Sequence, residues 1–312
     1  MKFVVTGALG HIGSALIRAL PAYRPGCEIV LIDNLSTQRY PSLFKLSAIG
    51  RYRFIEADVR STDLRPLFEG AHTVVHLAAK TDAAGSVNDA AGVEANNFQA
   101  TQKVAAACID SGARLIHLSS TSVYGTQQEA VSEDCSADEL KPQSPYATTK
   151  LKEEDLVRAL AGKGLKAIVC RFGTIFGASP GMRFHTAVNK FCWQAVMGQP
   201  LSVWRTAYDQ KRPYLDLADA VRAVAFIIEH DLFDGRVYNV LTLNATVRDI
   251  VDAIREFVPR VEVSFVDSPI MNQLSYEVSA QRFCDAGFAF AGDLRRGIGG
   301  TMALLQAAGG RA

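Results

Sequence analysis

The sequence predicts an α/β fold built on a doubly wound parallel sheet, and three observations lead to this prediction. Short apolar runs alternate with helical patterns through the first half of the chain. A glycine-rich turn, Thr6 to Gly13, follows the first apolar run and precedes a helical pattern from Ser14 to Leu20. The second apolar run, Ile29 to Ile32, ends at an acid, Asp33. A glycine turn after one strand and an acid after the next are typical of sheets that bind dinucleotides.

Length and composition narrow the class of protein. The chain has 312 residues with 48% hydrophobic and 21% charged content, enough for one large domain or two coupled domains. A net charge of +1 with both signs dispersed argues against a nucleic-acid partner or an anionic membrane surface. The opening apolar stretch is too short for a signal peptide, and no run reaches the roughly 18 to 20 residues of a membrane span, so we expect a cytoplasmic protein.

The six cysteines are widely scattered and form no Cys-x-x-Cys pair. This pattern favours reduced thiols over a disulfide framework or a zinc site. His76 and His117 lie within apolar runs, where a core histidine is a better interpretation than a metal ligand. We therefore predict no metal site.

The glycine turn is suited to holding a pyrophosphate. Gly7, Gly10 and Gly13 permit a tight turn, let backbone N–H groups approach the anion and let the following helix pack closely. Their spacing differs from the commonest dinucleotide fingerprint, so a plain strand-to-helix turn is the alternative. Asp33 lies about 20 residues further on, where an acid meets the adenosine ribose and repels a 2′-phosphate. This predicts NAD rather than NADP, and a solvated loop aspartate is the alternative.

Further elements continue the alternation of strands and helices. Strands are predicted at 53–59, 73–79, 115–118 and 167–172, and helices at 63–68 and 92–110. In the second half, helices are predicted at 185–197, 217–229, 247–257 and 294–307, with strands at 236–240 and 261–266. The first strands end in polar or small residues, which places a ligand site at the carboxyl edge of the sheet.

Tyr146 and Lys150 stand four residues apart at the start of a predicted helix, so they share one helical face. An ammonium one turn from a phenol favours the phenolate and lowers a pKa that is normally near 10. The pair is therefore a candidate general base.

The motifs of the first half resemble those of a known family, in the same order. They are the turn Thr6 to Gly13, Asp33-Asn34, Asp58-Val59, His76-Leu77-Ala78-Ala79, Asn97 with Thr101, Ser119-Ser120 before Val123-Tyr124-Gly125, and Tyr146-x-x-x-Lys150. The chain resembles the extended short-chain dehydrogenase/reductases, and within them the NAD-dependent epimerase/dehydratase branch that acts on nucleotide sugars. The resemblance implies a Rossmann-type NAD-binding domain over 1–173 that also receives segments near 213–240. It also implies a smaller C-terminal α/β substrate-binding domain over 174–312.

The resemblance implies roles for individual residues. Ser120 would polarise the sugar oxygen, with Thr121 as the fallback, Tyr146 would be the base, and Lys150 would bind the nicotinamide ribose and tune Tyr146. Tyr124 would lie near the site or serve packing. The implied cofactor contacts are Gly7, Gly10, His11, Ile12, Gly13, Asp33, Asn34, Asp58, Val59, Leu77, Ala78, Ala79, Asn97, Tyr146 and Lys150.

The implied substrate contacts are fewer: Thr121, Thr174, Arg183, Asn189 and Arg212. Thr174 stands where the family often has an asparagine on the substrate diphosphate, and Arg212 corresponds to an arginine that clamps it. A solvated face is an equal alternative for Arg183 and Asn189. The segment 272–276 has no arginine, although relatives often place one there on the nucleotide.

The implied reaction is NAD-dependent 4-epimerisation of a nucleotide sugar through a transient 4-keto sugar. Dehydratases of this branch usually follow the active-site hydroxyl with Asp-Glu, whereas Thr121-Ser122 follows Ser120 here. A 4-ketoreductase, a dehydratase and a decarboxylase stay open as alternatives, and a non-catalytic NAD-binding sensor is a remote one. We also expect a homodimer formed through the helices around 99–109 and 146–160, with small residues in Val104 to Ala107 for close approach.

Overall fold

The computed structural model describes residues 1–81, 85–125, 130–267 and 275–309. The strands are β1 (Lys2–Thr6), β2 (Glu28–Asp33), β3 (Arg51–Glu56), β4 (Thr73–His76), β5 (Arg114–Ser120), β6 (Ala167–Phe172), β7 (Thr174–Phe176), β8 (Leu201–Trp204), β9 (Lys211–Asp216), β10 (Val237–Val240), β11 (Leu243–Thr246) and β12 (Val263–Val266). The helices are α1 (His11–Tyr23), α2 (Arg65–Phe68), α3 (Ala90–Ser111), α4 (Pro145–Ala161), α5 (Ala187–Val196), α6 (Leu217–Glu229), α7 (Val247–Arg255), α8 (Gln281–Asp285) and α9 (Leu294–Leu305).

Seven parallel strands form the large sheet in the order β10-β6-β5-β4-β1-β2-β3. The strand order reverses between β1 and β4, and ligands of doubly wound sheets bind at the carboxyl ends beside such a reversal. Both faces of the sheet are covered, which explains the continuous apolar run of β1. Phe3 and Val5 pack into one core, and Val4 packs into the core on the other face.

Helices cover the large sheet from both sides. The core that contains Phe3 includes side chains of α1 and α6, such as Leu16 and Val224. The opposite core includes side chains of α3 and α4, such as Val104 and Val157. The predicted fold class, an α/β protein with a Rossmann-type parallel sheet, is confirmed by this arrangement.

A smaller set of elements carries its own core. Strands β11, β9 and β7 form a three-stranded sheet, and β12 pairs with β8. Helices α5, α7 and α9 pack together beside them, around residues such as Phe176, Ile250 and Ile298. Two elements of the second half belong to the large sheet instead. Helix α6, which follows β9, covers this sheet, and β10 pairs with β6. The division of the chain near residue 173 stays a prediction.

Several element boundaries differ from the prediction. Helix α1 begins at His11 rather than Ser14, and β3 and β4 end at Glu56 and His76, a few residues early. As a result, Asp58 and the segment 77–79 lie in turns at the carboxyl edge. Strands β7, β8 and β11 were not predicted because they have only three or four residues, and β9 was not predicted because it opens with Lys211, Arg212 and Pro213. Within the described ranges, the helices are too short or too polar to cross a membrane.

Candidate active site

A cavity of about 650 Å³ opens at the carboxyl edge of the large sheet. Its walls come from the glycine turn, from the ends of β2, β4 and β5, and from the start of α4. They are completed by residues of the second half, including Arg183, Trp204 and Arg212. The cavity therefore joins the parts of the chain that carry the cofactor motifs and the predicted substrate contacts.

The glycine turn is closely packed against the turn after β4. A Cβ atom at Gly7 would lie 2.7 Å from the backbone nitrogen of Ala78, and Gly7 has a φ of +64°. A Cβ atom at Gly13 would lie 2.6 Å from the carbonyl oxygen of Gly7. Only glycine fits both positions, so the first turn of α1 stays close to the end of β1. This places the helix N-terminus beside the cavity, as a pyrophosphate site requires.

The side chain of Asp33, at the end of β2, is held in place by hydrogen bonds to its carboxylate. Its two oxygens accept hydrogen bonds from the backbone N–H groups of Leu9 and Leu35, each at 3.0 Å. Each carboxylate oxygen has two lone pairs, so each keeps one acceptor position for a ribose hydroxyl. Asn34, which follows Asp33, also lines the cavity. The site thus fits NAD at the adenosine ribose, which is one of the points where the sequence predicted a contact.

Asp58 and Val59 line the same end of the cavity. The carboxylate of Asp58 forms a salt bridge of 2.6 Å with Arg60. Hydrogen bonding from Arg60 lowers the pKa of Asp58 to about 2. Asp58 is therefore a fixed anion at this end.

The start of α4 places Tyr146 at the cavity wall. Ser144 caps the helix by accepting a hydrogen bond from the N–H of Ala147 at 3.2 Å, and Pro145 occupies the first helical position. Tyr146 follows in the first turn, near the positive end of the helix dipole. Ser120, which ends β5, lies close enough to the phenol to lower the pKa of Tyr146.

Ser120 is oriented by its neighbour in the next turn. Its Oγ accepts hydrogen bonds from the backbone N–H of Ser122 at 3.2 Å and from the Ser122 hydroxyl at 2.9 Å. The hydroxyl proton of Ser120 is therefore available to Tyr146 or to a ligand oxygen. Thr121, the predicted fallback, lines the cavity but donates to the carbonyl oxygen of Phe172 at 3.3 Å. The structure favours Ser120 as the available hydroxyl.

Lys150 lies one turn after Tyr146 and is buried. Its Nζ donates to the carbonyl oxygen of Leu118 and to Oε2 of Glu153, both at 2.9 Å, and lies 5.9 Å from the ring centroid of Tyr146. Burial alone would lower the pKa of Lys150, but the negative charges of Glu153 and ionised Tyr146 raise it above the usual value. Lys150 is therefore held as a cation.

The pKa of Tyr146 corrects one sequence-based expectation. Burial raises the pKa of Tyr146 above 10, and the charge of Glu153 raises it further. Lys150, Ser120 and Arg183 lower the pKa of Tyr146, but by less in total. Lys150 lowers the pKa of Tyr146, as predicted, but the pKa as a whole is raised rather than lowered. The sequence did not reveal how deeply the phenol is buried.

The substrate end of the cavity is lined by side chains from separate segments. Thr121, Thr174, Arg183 and Arg212 all line it, as the sequence predicts, together with Lys190, Trp204 and Tyr276. Arg183 donates a hydrogen bond to Thr81 Oγ1, and the Arg212 guanidinium donates to Gln210 Oε1 at 3.3 Å. Arg183, Lys190 and Arg212 thus bring cationic side chains to this part of the cavity, which suits an anionic ligand.

Two predicted contact residues lie behind the cavity wall rather than in it. The Asn97 side chain bonds the backbone N–H and carbonyl of Lys80, at 2.8 and 2.9 Å. The Asn189 side chain is fully buried and bonds the backbone of Gly177 and Arg183. Both amides are occupied in fixing loops, so neither side chain is placed to contact a ligand. This corrects the contacts expected for them.

Other predicted residues have mixed roles. Gly10, Ile12, Leu77 and Ala79 line the cavity together with Gly7, Gly13 and Ala78. His11 lines it too, but its Nε2 bonds the carbonyl oxygen of Gly177 at 2.8 Å, and burial lowers its pKa to about 4. The Tyr124 phenol donates to Asn239 at 2.9 Å and is fully buried, which fits the packing interpretation. Of the segment 272–276, residues 272–274 lie outside the described residues.

Sequence reasoning missed several residues of the site. Lys190 lies on α5, Trp204 ends the unpredicted strand β8, and Glu153 lies one turn beyond Lys150. Glu153 belongs to the run Lys150 to Asp155, which is rich in charges and is typical of a solvated helix face. Its spacing of three residues from Lys150 was the one signal that could have identified it.

Comparison with known proteins identifies the family of this chain. The chain belongs to the NAD dependent epimerase/dehydratase family, whose model matches residues 3–240. This confirms the family that the motifs indicated. The prediction of NAD as cofactor is confirmed as well, since the family is NAD-dependent.

Among the curated relatives, an uncharacterized UDP-glucose epimerase of Bacillus subtilis, YtcB, is 30% identical over 249 residues, 77% of this chain and 76% of that protein. A UDP-glucose 4-epimerase of Azospirillum brasilense is 28% identical over 280 residues, 82% of this chain and 77% of that protein. A trifunctional UDP-glucose 4,6-dehydratase, epimerase and reductase of Arabidopsis thaliana is 29% identical over 96% of this chain, which spans only 46% of that protein.

Solved structures match the whole fold. The UDP-glucuronic acid 4-epimerase of Bacillus cereus, in complex with UDP-glucuronic acid and NAD, has a TM-score of 0.86 at 26% identity and covers 99% of this chain and 100% of that chain. MoeE5 in complex with UDP-glucose and NAD has a TM-score of 0.85 at 27% identity, with 99% of both chains covered.

Proposed function

We propose that this protein is an NAD-dependent nucleotide-sugar 4-epimerase. The observation that carries the proposal is that Ser120 and Tyr146 meet at the cavity wall, with Lys150 buried one turn after Tyr146. A hydroxyl and a phenol at one point of the cavity suit reversible proton transfer at a single sugar hydroxyl. NAD, when bound, supplies reversible oxidation of the sugar carbon.

The residues divide the work in the following way. Tyr146, as phenolate, takes the proton of the C4 hydroxyl, and Ser120 donates a hydrogen bond to the same oxygen. After the transient 4-keto sugar has turned over, Tyr146 returns the proton to the oxygen on the opposite face. Arg183, Lys190 and Arg212 hold the diphosphate while the sugar turns.

The substrate end of the cavity does not favour elimination of water. Removal of a sugar hydroxyl as water requires an acid to protonate it. Among the described residues that line the cavity, the carboxylates are those of Asp33 and Asp58, and both lie at the predicted adenosine end. Thr121 and Ser122, which follow Ser120, offer hydroxyls instead. This supports epimerisation over 4,6-dehydration.

A panel experiment tests the proposal. The purified protein is incubated with different nucleotide sugars without added cofactor, and the products are separated by chromatography and assigned by NMR. We expect a C4 epimer of at least one nucleotide sugar to form catalytically. A product that has lost water or carbon dioxide, or turnover only with stoichiometric reduced cofactor, would assign the chain to another activity of the family.

We also propose a homodimer, through the outer faces of α3 and α4. The structure changes one part of this expectation: Val104, Ala105 and Ala107 are buried within their own chain, and of that group Ala106 faces outward. Ile109 is 47% exposed on the same helix and is the apolar candidate for the contact. Sedimentation at micromolar concentration should give twice the 33.8 kDa mass, and a monomer would contradict the proposal.

A further inference from the structure

A buried polar cluster lies beside Tyr146; its members Lys150 and His76 reach the cavity lining, whereas Glu153, Thr101 and His117 are outside the described lining. Its centre is Glu153, which is fully buried on α4. The Oε2 atom of Glu153 accepts hydrogen bonds from Lys150 Nζ at 2.9 Å and from Thr101 Oγ1 at 3.0 Å. The Nε2 atom of His117 lies 3.3 Å from the same oxygen. Residues of α3, α4 and β5 therefore meet at one carboxylate. Strand β4 joins them indirectly, because His76 is hydrogen-bonded to Thr101 at 3.2 Å.

The two histidines of the cluster do not supply charge. Burial lowers the pKa of His76 to about 3, and burial together with Lys150 lowers the pKa of His117 well below its usual value. Both rings are therefore neutral near pH 7. Neither ring nitrogen of His117, nor Oε1 of Glu153, has a hydrogen-bond partner among the described residues. The charged groups of the cluster are Lys150 and Glu153.

Other charges near Tyr146 and Lys150 are engaged elsewhere or lie on the ligand side. Glu154, the next residue on α4, forms a buried salt bridge of 2.7 Å with Arg171 and accepts a hydrogen bond from Ser119. Arg183 approaches Tyr146 from the cavity and bonds Thr81. Glu153 is thus the counter-charge in direct contact with Lys150.

We propose that Glu153 is a positioning residue of the active site, which anchors Lys150 from behind and sets the charge that Tyr146 experiences. An ammonium buried without a counter-charge would lose its proton or draw in water, so Lys150 requires this carboxylate in addition to the carbonyl oxygen of Leu118. The same carboxylate also offsets the attraction of Lys150 for the phenolate. The proposal depends on the proposed function only in taking Tyr146 as the base.

The charge of Glu153 shifts the pKa of Tyr146 and the pKa of Lys150 in the same direction. A negative charge makes every neighbouring proton harder to remove, so Glu153 raises the pKa of Tyr146 and the pKa of Lys150 alike. Glu153→Gln removes the charge and keeps an oxygen that can accept from Lys150 and Thr101. Both pKa values should fall. In the pH–rate profile of the epimerase, the acid limb and the alkaline limb should therefore both move to lower pH, by about one unit.

The decisive measurement needs no substrate. The ultraviolet absorbance of phenolate is titrated for the protein and for Tyr146→Phe, both with NAD, and the difference isolates the titration of Tyr146. The same pair of titrations is made with Glu153→Gln present in both proteins. We expect the difference curve to move to lower pH by about one unit. Loss of the proposed epimerase activity would leave this titration interpretable, so the two proposals can fail separately.

Glu154→Gln is the matched control, because it makes the same chemical change at an equally buried neighbour. Glu154→Gln should reduce the stability of the fold, because Arg171 loses its ionic partner. The pH at which Tyr146 titrates should not change. An unshifted or upward-shifted curve for Glu153→Gln, or an equal shift for Glu154→Gln, overturns the proposal.

A second pair of variants covers the case in which Glu153→Gln does not fold, since breaking a buried ion pair on one side is destabilising. Lys150→Met is compared with the double variant Lys150→Met, Glu153→Gln, in which both charges are absent. The double variant should titrate Tyr146 at lower pH than Lys150→Met. Equal titration curves would overturn the proposal.

Discussion

The two ends of the cavity are built in different ways. The cofactor end consists of backbone turns that follow consecutive strands, and Gly7 packs there against the backbone of Ala78 with no room for a side chain. The substrate end consists of long side chains that arrive from unrelated segments, such as Arg183 from a loop and Arg212 from β9. Backbone turns of this kind accept few residue types, whereas many side chains can present a cation to a diphosphate. The contrast explains why one end carries recognisable motifs and the other does not.

The largest expected effect is at the boundary between the two ends. Tyr146→Phe removes the phenol oxygen that we propose takes the sugar proton but keeps the ring in its buried position. Turnover should fall by roughly 10² to 10⁴, as expected for loss of a positioned general base, while NAD binding is retained. Kinetics on the identified substrate, with titration of NAD, checks both parts. Tyr23→Phe, at an exposed tyrosine, is the control and should retain full activity.

Lys150→Met should reduce activity and also change its pH dependence. Without the ammonium the phenolate is less stable, so the pKa of Tyr146 rises and the pH optimum moves upward. Lys152→Met is the control, since Lys152 is exposed on the same helix and pairs with Glu94 at 2.6 Å. If both variants shift the pH–rate profile equally, the effect of Lys150 comes from the charge of the helix in general and not from its position beside Tyr146.

Arg212→Leu should weaken binding at the substrate end of the cavity without affecting binding at the cofactor end. Loss of a charge-assisted hydrogen bond costs about 1.5 to 3 kcal/mol, which is roughly a ten- to hundredfold loss of affinity for the nucleotide sugar. NAD affinity should not change. Arg205→Leu, at an arginine that is outside the described cavity lining, provides the control. Unchanged nucleotide-sugar affinity in Arg212→Leu would mean that Arg212 is a structural or surface residue.

The smallest effect concerns the choice of cofactor. The carboxylate of Asp33 repels a 2′-phosphate, so the protein should bind NAD more tightly than NADP in a fluorescence titration. Asp33→Ser should narrow the difference. Equal or tighter NADP binding by the unchanged protein would point to Arg39, which lines the same end of the cavity, as the dominant charge.

The sequence alone predicted the large parallel sheet and several residues that line the cavity, for a physical reason. Gly7, Asp33 and Tyr146 lie at strand ends and a helix start, and these are positions that local patterns define. Asn97 and Asn189 were misplaced, because an amide on a helix gives no sign of whether it faces a ligand or a loop backbone. Glu153 was missed for the same kind of reason, since burial of one charge in a charged run depends on tertiary packing.

The proposed epimerisation oxidises one carbon of the sugar and reduces it again without loss of its hydrogen. The most direct measurement is an incubation of the nucleotide sugar with the protein in heavy water, without added cofactor, followed by NMR of the product. We expect a C4 epimer that carries ordinary hydrogen at C4, because the hydrogen removed from that carbon is the one returned to it. Deuterium at C4, or a product that has lost water, would contradict the proposed function.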